Sequence, residues 1–235
     1  DHRYLHSFPT RRSSDLPDIS HYQAGLSLTG APAVIAKASE GTAWVDASYA
    51  GFKAQAAALG IPFLAYHFLR HSDIPGQVAH AIVCIGTGKP LMLDVETGID
   101  NTDPTLAEAL AFIDGYTAQS DGGRVTLVYL PHWYWQGAWH SPSLAPIANR
   151  AAGLISSSYT AYSDTGPGWV PYGGMTPIIW QYTSSQLFNG KRVDFNAYEG
   201  TVDELRALFE GGTMTQPYSV DRKSTRLNSS HGIIS

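Results

Sequence analysis

Short apolar runs alternate with helix-like segments along most of the chain, and this alternation limits the available folds most strongly. The runs predict strands at 33–39, 62–69, 90–96, 124–130, 153–157, 176–183 and 192–196, and the spacing predicts helices at 49–59, 75–85, 103–119 and 201–211. Continuous apolar strands are typical of a parallel sheet with helices outside. Between Pro131 and Pro177 the helical segments become short or vanish. We therefore predict an α/β fold, a TIM-like barrel that is irregular in its second half.

Three helix ends carry recognisable signals. Gly60 follows an Ala-rich helical stretch and predicts its C-terminal end. The pair Asp103-Pro104 predicts an N-cap followed by a proline in the first turn. Thr201 and Glu204 have the spacing of a capping box, which predicts the start of the last helix.

Two segments near the ends of the chain lack hydrophobic periodicity. Residues 8–16 read FPTRRSSDL and residues 221–231 read DRKSTRLNSSH, and both back-translate into common short-read sequencing adapters. Natural basic tails would share this Ser and Arg content, but two adapter matches favour an artefact. We expect residues 1–16 and 221–235 to lie outside the fold. A single domain then spans 17–220, and we expect the natural termini, with any signal peptide, to be missing.

The charge balance limits the partners. The chain has 20 Asp and Glu against 15 Lys and Arg, a formal net charge of −5 at pH 7. Such a balance argues against nucleic acid, no apolar run is long enough to span a membrane, and no Gly-rich loop predicts a nucleotide site. Cys84 is the only cysteine, so no internal disulfide or cysteine metal site is expected. We expect a monomer without a metal or cofactor.

Asp94 and Glu96 end the apolar run LMLDVE. Because strand side chains alternate between faces, both carboxylates are predicted to point the same way. Like charges held close together push their pKa values apart, so one group keeps its proton at neutral pH. A glycosidase needs such a pair, an acid for the leaving oxygen and an anion for the developing cation. The alternative is a structural role, in which the two acids cap a helix or pair with Lys or Arg.

Further polar residues fall where the predicted strands end. They are Asp18, Lys37, Ser39, Glu40, Tyr66, His67, Tyr129, Trp180, Gln181, Tyr182, Asp194 and Asn196. Each has a structural explanation by itself, and a lone histidine is usually structural. Parallel barrels, however, carry their chemistry at the C-terminal ends of the strands. Acids and aromatic rings that meet at one mouth suit sugar binding. Sequence patterns for a calcium loop, a paired-histidine zinc site or a serine nucleophile are absent.

These residues occur in an order that resembles glycoside hydrolase family 25. The motifs are DISHYQ (18–23), VIAKASEGT (34–42), AYHF (65–68), LDVE (93–96), VY (128–129), WQY (180–182) and VDFNAYEGT (193–201). The family comprises Chalaropsis-type lysozymes, or N-acetylmuramidases, of autolysins and phage endolysins. The resemblance implies a modified barrel of eight mostly parallel strands with about five helices. It also implies cleavage of the β-1,4 bond between N-acetylmuramic acid and N-acetylglucosamine in bacterial peptidoglycan.

The resemblance also implies residue roles. Glu96 matches the general acid of the family, and the three accompanying aspartates match Asp18, Asp94 and Asp194. The expected substrate-binding residues are Lys37, Glu40, Tyr66, Tyr129, Trp180 and Gln181. Many members carry W-x-A-x-Y after the fifth strand, where this chain reads LISSSYTAY (154–162). We therefore assign no contact to Tyr159 or Tyr162.

Two routes stay open for the reaction. Asp94 beside Glu96 resembles the D-x-E arrangement of family 18 chitinases, in which the 2-acetamido group of the substrate attacks and an aspartate orients it. Alternatively, Asp18 or Asp194 activates a water molecule in an inverting reaction. Two other functions also stay open, a chitinase-like glycosidase of a related barrel family and a non-catalytic glycan-binding barrel. A muramidase would act at the cell wall, after export or phage release.

Overall fold

The computed structural model describes residues 14–212 of the chain. Within them the strands are β1 (Leu16–Ile19), β2 (Val34–Glu40), β3 (Trp44–Val45), β4 (Phe63–Phe68), β5 (Leu91–Asp94), β6 (Val125–Tyr129), β7 (Gly153–Ser157), β8 (Pro177–Phe188) and β9 (Lys191–Tyr198). The α-helices are α1 (Tyr49–Leu59), α2 (Ile74–Ile85), α3 (Leu106–Gln119), α4 (His132–Gly137), α5 (Ala145–Ala148) and α6 (Val202–Phe209). Two 3₁₀ turns, His21–Gln23 and Pro167–Trp169, complete the regular structure of this part.

Eight of the strands close into a barrel. Strand β1 pairs with β2 on one side and with β9 on the other, while β3 only forms a hairpin with β2. Neighbouring barrel strands run parallel, except that β9 is antiparallel to both β8 and β1. The predicted eight-stranded, mostly parallel barrel is confirmed. The described residues contain six α-helices, and α4 and α5 are short, as the irregular second half predicts.

The antiparallel strand follows from a turn that the sequence reasoning did not use. Asn189 and Gly190 join β8 to β9, and both have positive φ values, 44° and 83°. An Asn-Gly pair accepts this left-handed geometry, and its twist matches that of a two-residue hairpin. The two strands therefore pair along their length and run further than predicted, from Pro177 to Phe188 and from Lys191 to Tyr198.

Apolar side chains fill the interior of the barrel below its mouth. Successive strands contribute Leu16, Ile35, Leu64, Met92, Leu127, Ile155, Ile179 and Tyr198 to one buried cluster. Helix α6 packs Leu205, Leu208 and Phe209 against the same cluster. Full burial of one such side chain stabilises a fold by roughly 1.5–3 kcal/mol. Because this end is filled, polar side chains that point into the barrel can gather only at the opposite end.

Helices α2 and α3 cover the outer face of the sheet. Val78 and Ala81 of α2 and Phe112 and Tyr116 of α3 pack with the outward side chains of β5, Leu91 and Leu93. Met92, between those two leucines, belongs to the interior cluster. Since both faces of β5 are buried from Leu91 to Leu93, these positions require apolar residues, and this part of the strand reads as a continuous apolar run.

The predicted helix ends are confirmed in two cases and wrong in one. Helix α1 ends at Leu59, with Gly60 in the left-handed conformation (φ 66°). Thr201 and Glu204 form the predicted capping box of α6. Helix α3, however, is capped by Thr105 and not by Asp103. The Thr105 hydroxyl accepts from the Glu108 amide (3.2 Å), and the Glu108 carboxylate accepts from the Thr105 amide (2.7 Å). Two satisfied amides outweigh the proline signal at Pro104.

The expected boundary between residues 16 and 17 falls inside β1. Leu16 is fully buried in the barrel interior and pairs with Asn196. Ser14 and Asp15 are also buried, and the Ser14 hydroxyl donates to the Tyr198 carbonyl (2.6 Å). The expectation that residues 1–16 lie outside the fold is therefore wrong for residues 14–16, because their side chains complete the packing against β9.

The remainder of both adapter-like segments, residues 1–13 and 221–235, lies outside the described residues. Of the helices within residues 14–212, none has the length and hydropathy that a membrane crossing requires.

Candidate active site

Four carboxylates meet at the open end of the barrel. Asp18 of β1 lies opposite Asp194 of β9 in the strand register. Asp94 is the last residue of β5, and Glu96 follows in a bend beyond the strand. The pKa of each of the four carboxyl groups is raised. The predicted convergence of these side chains is thus what the structure shows.

Glu96 does not lie on the strand where the sequence pattern placed it. Strand β5 ends at Asp94, and the Val95 amide donates to the carbonyl of Tyr129, the last residue of β6 (2.9 Å). Beyond that point the neighbouring strand offers no further partner. Glu96 therefore belongs to the loop between β5 and α3, although its carboxylate still interacts with that of Asp94.

Asp194 reaches the mouth from an antiparallel strand and not from the C-terminal end of a parallel one. The sequence reasoning placed all candidate residues at the C-terminal ends of strands. Asp194, however, lies in the first half of β9, the antiparallel strand that runs away from the mouth. The hairpin that reverses the chain direction thus brings an early residue of β9 beside residues from the ends of parallel strands.

Burial shifts the protonation of the acids toward neutral pH. Burial raises the pKa of Glu96 to about 7, the Asp194 carboxylate adds to the shift, and Lys37 opposes it. Burial also raises the pKa of Asp194 to about 6. The pKa of Asp94 is raised by burial and then by Glu96, and the pKa of Asp18 is raised by burial and then by Asp194. Glu96 can therefore hold or release a proton near neutral pH, as a general acid must.

The charged and titratable groups that interact with Glu96 come from every side of the mouth. They are Asp18 (β1), Lys37 (β2), Tyr66 (β4), Asp94 (β5), Tyr129 (β6), Tyr134 (α4), Tyr159 (the β7–β8 loop) and Asp194 (β9). Lys37 is the basic member of this set. The acids therefore interact within a compact group that carries one compensating cation.

Lys37 lies in a small cage at the end of β2. Its ammonium nitrogen is 2.6 Å from Glu40 Oε2 and lies over the rings of Phe68 (4.6 Å) and Trp44 (4.9 Å). A cation near an aromatic face is attracted by the ring quadrupole. The positive charge of Lys37 lowers the pKa values of Asp18, Asp94 and Glu96 against the effect of burial. Lys37 and Glu40, both predicted to bind substrate, line the same cleft.

Two tyrosines share one glutamine at the other side of the mouth. The hydroxyls of Tyr129 and Tyr159 each donate to Gln181 Oε1, at 2.9 Å in both cases. Burial raises the pKa of Tyr129, and burial together with the Asp194 carboxylate raises the pKa of Tyr159 to about 12. Both phenols stay protonated at neutral pH. The structure thus brings Tyr159, to which the sequence assigned no contact, beside Tyr129 and Gln181.

Trp180 is not available to a substrate. Its side chain is 0% exposed, and it faces away from the barrel interior because neighbouring residues of a strand alternate sides. Its indole nitrogen donates to the Ser158 carbonyl (2.9 Å), and a Cβ at Gly168 would overlap the ring. The prediction that Trp180 binds sugar is therefore wrong. Trp180 instead holds the loop that carries Tyr159.

His67 also has a structural role, as a lone histidine usually does. It is fully buried on the outer face of β4 and stacks on Phe112, with ring centroids 4.8 Å apart. Its Nδ1 is 2.8 Å from the Ser39 hydroxyl. Burial lowers its pKa to about 3, so the ring is neutral near pH 7.

A cleft of about 830 Å³ lies beside Glu96, between the β2–β3 hairpin and the loops that follow β4 and β5. Its walls include His21, Tyr22, Lys37, Glu40, Trp44, Phe68, Arg70, His71, Asp73, Glu96 and Ile99. Tyr22, Trp44 and Arg70 were not among the predicted site residues. They lie in a 3₁₀ turn, in the short strand β3 and after β4, and none of them stands at the end of a predicted strand. A cleft with aromatic and charged walls suits a polar ligand such as a sugar chain.

A barrel whose mouth gathers four interacting carboxylates, with hydrogen-bonded tyrosines between them, has the features of a glycoside hydrolase. The model of the glycosyl hydrolases family 25 matches residues 17–191, and the chain belongs to this family. The resemblance inferred from the sequence motifs is thus confirmed, and the chain is a glycoside hydrolase.

Individual relatives are similar over most of their length. The N,O-diacetylmuramidase of Chalaropsis sp is 29% identical over 220 residues, which cover 83% of this chain and 98% of that protein. The fold matches a muramidase from Trichobolus zukalii with a TM-score of 0.70 at 24% identity, covering 84% of this chain and 99% of that one. It matches the lysozyme from Streptomyces coelicolor with a TM-score of 0.72 at 23% identity, covering 84% and 97%.

Proposed function

We propose that this enzyme hydrolyses the β-1,4 bond between N-acetylmuramic acid and N-acetylglucosamine in bacterial peptidoglycan. Membership of the family and the relative named N,O-diacetylmuramidase support this substrate. The observation that carries the proposal is Glu96, a half-buried acid with a pKa of about 7 that lines the cleft and interacts with three aspartates.

In the proposed reaction Glu96 is the general acid. Its proton passes to the glycosidic oxygen as the bond to the anomeric carbon breaks, and the leaving sugar departs as an alcohol. The carboxylates of Asp18 and Asp194 stabilise the positive charge that develops on the ring. Glu96, now ionised, then accepts a proton from the water molecule that completes hydrolysis.

Asp94 has a free oxygen that favours substrate assistance. Its Oδ1 is buried and has no hydrogen-bond partner among the described residues. Leaving a buried oxygen unpaired costs about 1–3 kcal/mol, so a ligand that donates to it would bind with a matching gain. We propose that this oxygen accepts the N–H of the 2-acetamido group and orients that group for attack on the anomeric carbon.

Clearing of bacterial walls tests the proposed activity. Turbidity of a peptidoglycan suspension should fall with the wild-type enzyme and stay constant with Glu96→Gln, while chitin is left intact. Release of sugars from chitin at an equal rate would instead support a chitinase-like enzyme. Binding of wall fragments without cleavage by the wild type would support a glycan-binding barrel.

The substrate implies where the enzyme acts. Peptidoglycan lies outside the cytoplasmic membrane, so we propose action at the cell wall, after export or phage release. We also propose that the chain 17–220 is the catalytic domain, extended at its start by residues 14–16, and that the protein is a monomer. Light scattering on a size-exclusion column would measure its mass in solution.

A further inference from the structure

Arg70 lies across the two loops that border the cleft. It follows β4, and its side chain reaches the β2–β3 hairpin on one side and the β5–α3 loop on the other. Arg70 Nε is 3.4 Å from Glu40 Oε1, and Arg70 Nη2 is 3.3 Å from Asp100 Oδ1. Because Glu40 also pairs with Lys37, one series of ion pairs runs from the acid cluster to the loop that carries Glu96.

Two glycines make room for this arginine. A Cβ at Gly98, two residues after Glu96, would overlap the Nη1 atom of Arg70, and a Cβ at Gly41 would lie 3.3 Å from its Cγ atom. Gly41 is the glycine of the K-A-S-E-G-T motif. The absence of a side chain lets the guanidinium group pack against the backbone at Gly98 and the aliphatic part of Arg70 pack against the backbone at Gly41.

The backbone of Arg70 is itself fixed. Gln77 of α2 accepts from the Arg70 amide (2.8 Å) and donates to the carbonyls of Arg70 (2.8 Å) and Ser72 (2.6 Å). Arg70 Nη1 is nevertheless buried with no hydrogen-bond partner among the described residues. An unsatisfied buried donor lowers stability, so stability alone does not explain this arrangement.

We propose that Arg70 is a positioning residue that holds the Glu96 loop in its reactive place, an inference that rests on the proposed role of Glu96. Glu96 follows the last strand hydrogen bond, donated by Val95, and the loop beyond it is closed by its own hydrogen bonds, Thr97–Asp103 (2.8 Å) and Gly98–Thr102 (2.9 Å). The Arg70–Asp100 ion pair ties this closed loop to the segment after β4. A displacement of a reacting group by about 1 Å can lower a rate roughly 10²-fold. A loop without Arg70 would allow such a displacement.

Three variants test this role through kcat, KM and the pH profile on soluble wall fragments. Arg70→Ala should lower kcat by roughly 30–100-fold and leave KM within about threefold. Its alkaline limb should move to lower pH, because a looser loop admits water and burial is the main cause of the raised pKa of Glu96. Arg70→Lys should recover part of kcat, since one ammonium reaches only one of the two loops. Arg150→Ala, which removes the exposed pair with Asp114, is the control and should behave as wild type.

A second pair of variants leaves the arginine in place. Gly98→Ala adds a methyl group where Arg70 lies and should reproduce the loss of kcat and the shifted limb. Gly51→Ala in α1, where a Cβ meets nothing within 4 Å, should leave kcat and the pH profile unchanged. If Arg70→Ala keeps kcat within about twofold of wild type, or changes only KM with the pH limb in place, the positioning role is wrong. Full activity in Glu96→Gln would instead refute the proposed function, whatever Arg70 does.

Discussion

The first and second halves of the barrel support the site in different ways. From β2 to β6 a helix of at least eleven residues, α1, α2 or α3, precedes each new barrel strand and packs on the sheet. After β6 the helices α4 and α5 have six and four residues, and a hairpin replaces the last crossover. The helix-supported half provides Lys37, Asp94 and Glu96, whereas the irregular half provides Asp194, Gln181 and Tyr159.

Both halves nevertheless raise the pKa of a carboxyl group by burial. Glu96 lies in the loop after β5, and Asp194 lies on β9. In the first half, parallel strands covered by helices lead to the acids, whereas the irregular half brings its residues to the mouth from a hairpin and a loop. The β7–β8 loop packs on Trp180 of β8, which is buried against Gly168 and donates to the Ser158 carbonyl, so an aromatic side chain supports this loop where the first half has a helix.

The largest effect on activity is expected for Glu96, in the helix-supported half. Glu96→Gln keeps the volume of the side chain but removes the transferable proton, so wall clearing should fall by roughly 10²–10⁴. The wild-type rate should decline above pH 7 as Glu96 loses its proton, and this limb should be absent from the residual activity of the variant. Asp114→Asn, an exposed carboxylate paired with Arg150, is the control. If Glu96→Gln clears walls at a rate within threefold of wild type, Glu96 is not the general acid.

In the irregular half, Asp194→Asn should lower activity by roughly 10²–10³, as when one preorganised electrostatic contact is removed. The amide keeps the shape of the side chain but not its charge, so circular dichroism should show an unchanged fold. A variant that retains wild-type turnover would show that the charge of Asp194 is not needed for the reaction.

Strand β1 joins the two halves, and its first residue should affect stability. A chain of residues 17–220 lacks Leu16 and should unfold at a lower temperature than one of residues 14–220. Loss of a buried leucine costs about 2–5 kcal/mol, or roughly 5–15 °C for a chain of this length. We expect removal of residues 1–13 alone to leave the melting temperature unchanged. Equal melting temperatures for the 14–220 and 17–220 chains would show that the packing of Leu16 is not needed.

The acid cluster should also make the folded protein less stable at neutral pH than in mild acid. The folded-state pKa values of Glu96 and Asp194, about 7 and about 6, lie above their ordinary values of 4.5 and 3.8. The folded protein therefore binds more protons, and the free energy of unfolding should fall as pH rises from about 4 to 7. Glu96→Gln should be more stable than wild type by about 1–3 kcal/mol at pH 7.5. Urea titrations at pH 4 and 7.5 measure whether this gain disappears in acid.

The smallest effect on activity is expected for Tyr159, in the loop between β7 and β8. Tyr159→Phe removes one hydrogen bond to Gln181, worth about 0.5–1.5 kcal/mol, so activity should fall by only about two- to tenfold. Tyr162→Phe, whose hydroxyl donates to Asp164 in the same loop, is the matched control. If both variants clear walls equally fast, the loop tyrosine does not act through its hydroxyl.

Local sequence signals predicted most of the strands and helices of this protein and the family to which it belongs. Apolar runs and helix caps identified the elements of the barrel, because a buried strand accepts only apolar residues and a capping box needs only neighbouring atoms. The order of the motifs identified the family and the four acids at the mouth. The Asn189-Gly190 pair also predicts a hairpin, and reading it would have made β9 antiparallel in advance.

Only the tertiary structure decided which side of each strand faces the interior of the barrel. Alternation places Trp180 and Gln181 on opposite faces, but the closure of the sheet determines which face becomes the interior. In the same way, β5 ends at Asp94 because its neighbour β6 ends there, which places Glu96 in a loop. Arg70 is apart in sequence from both loops that it contacts. Such contacts depend on where distant segments meet, and no local pattern contains that information.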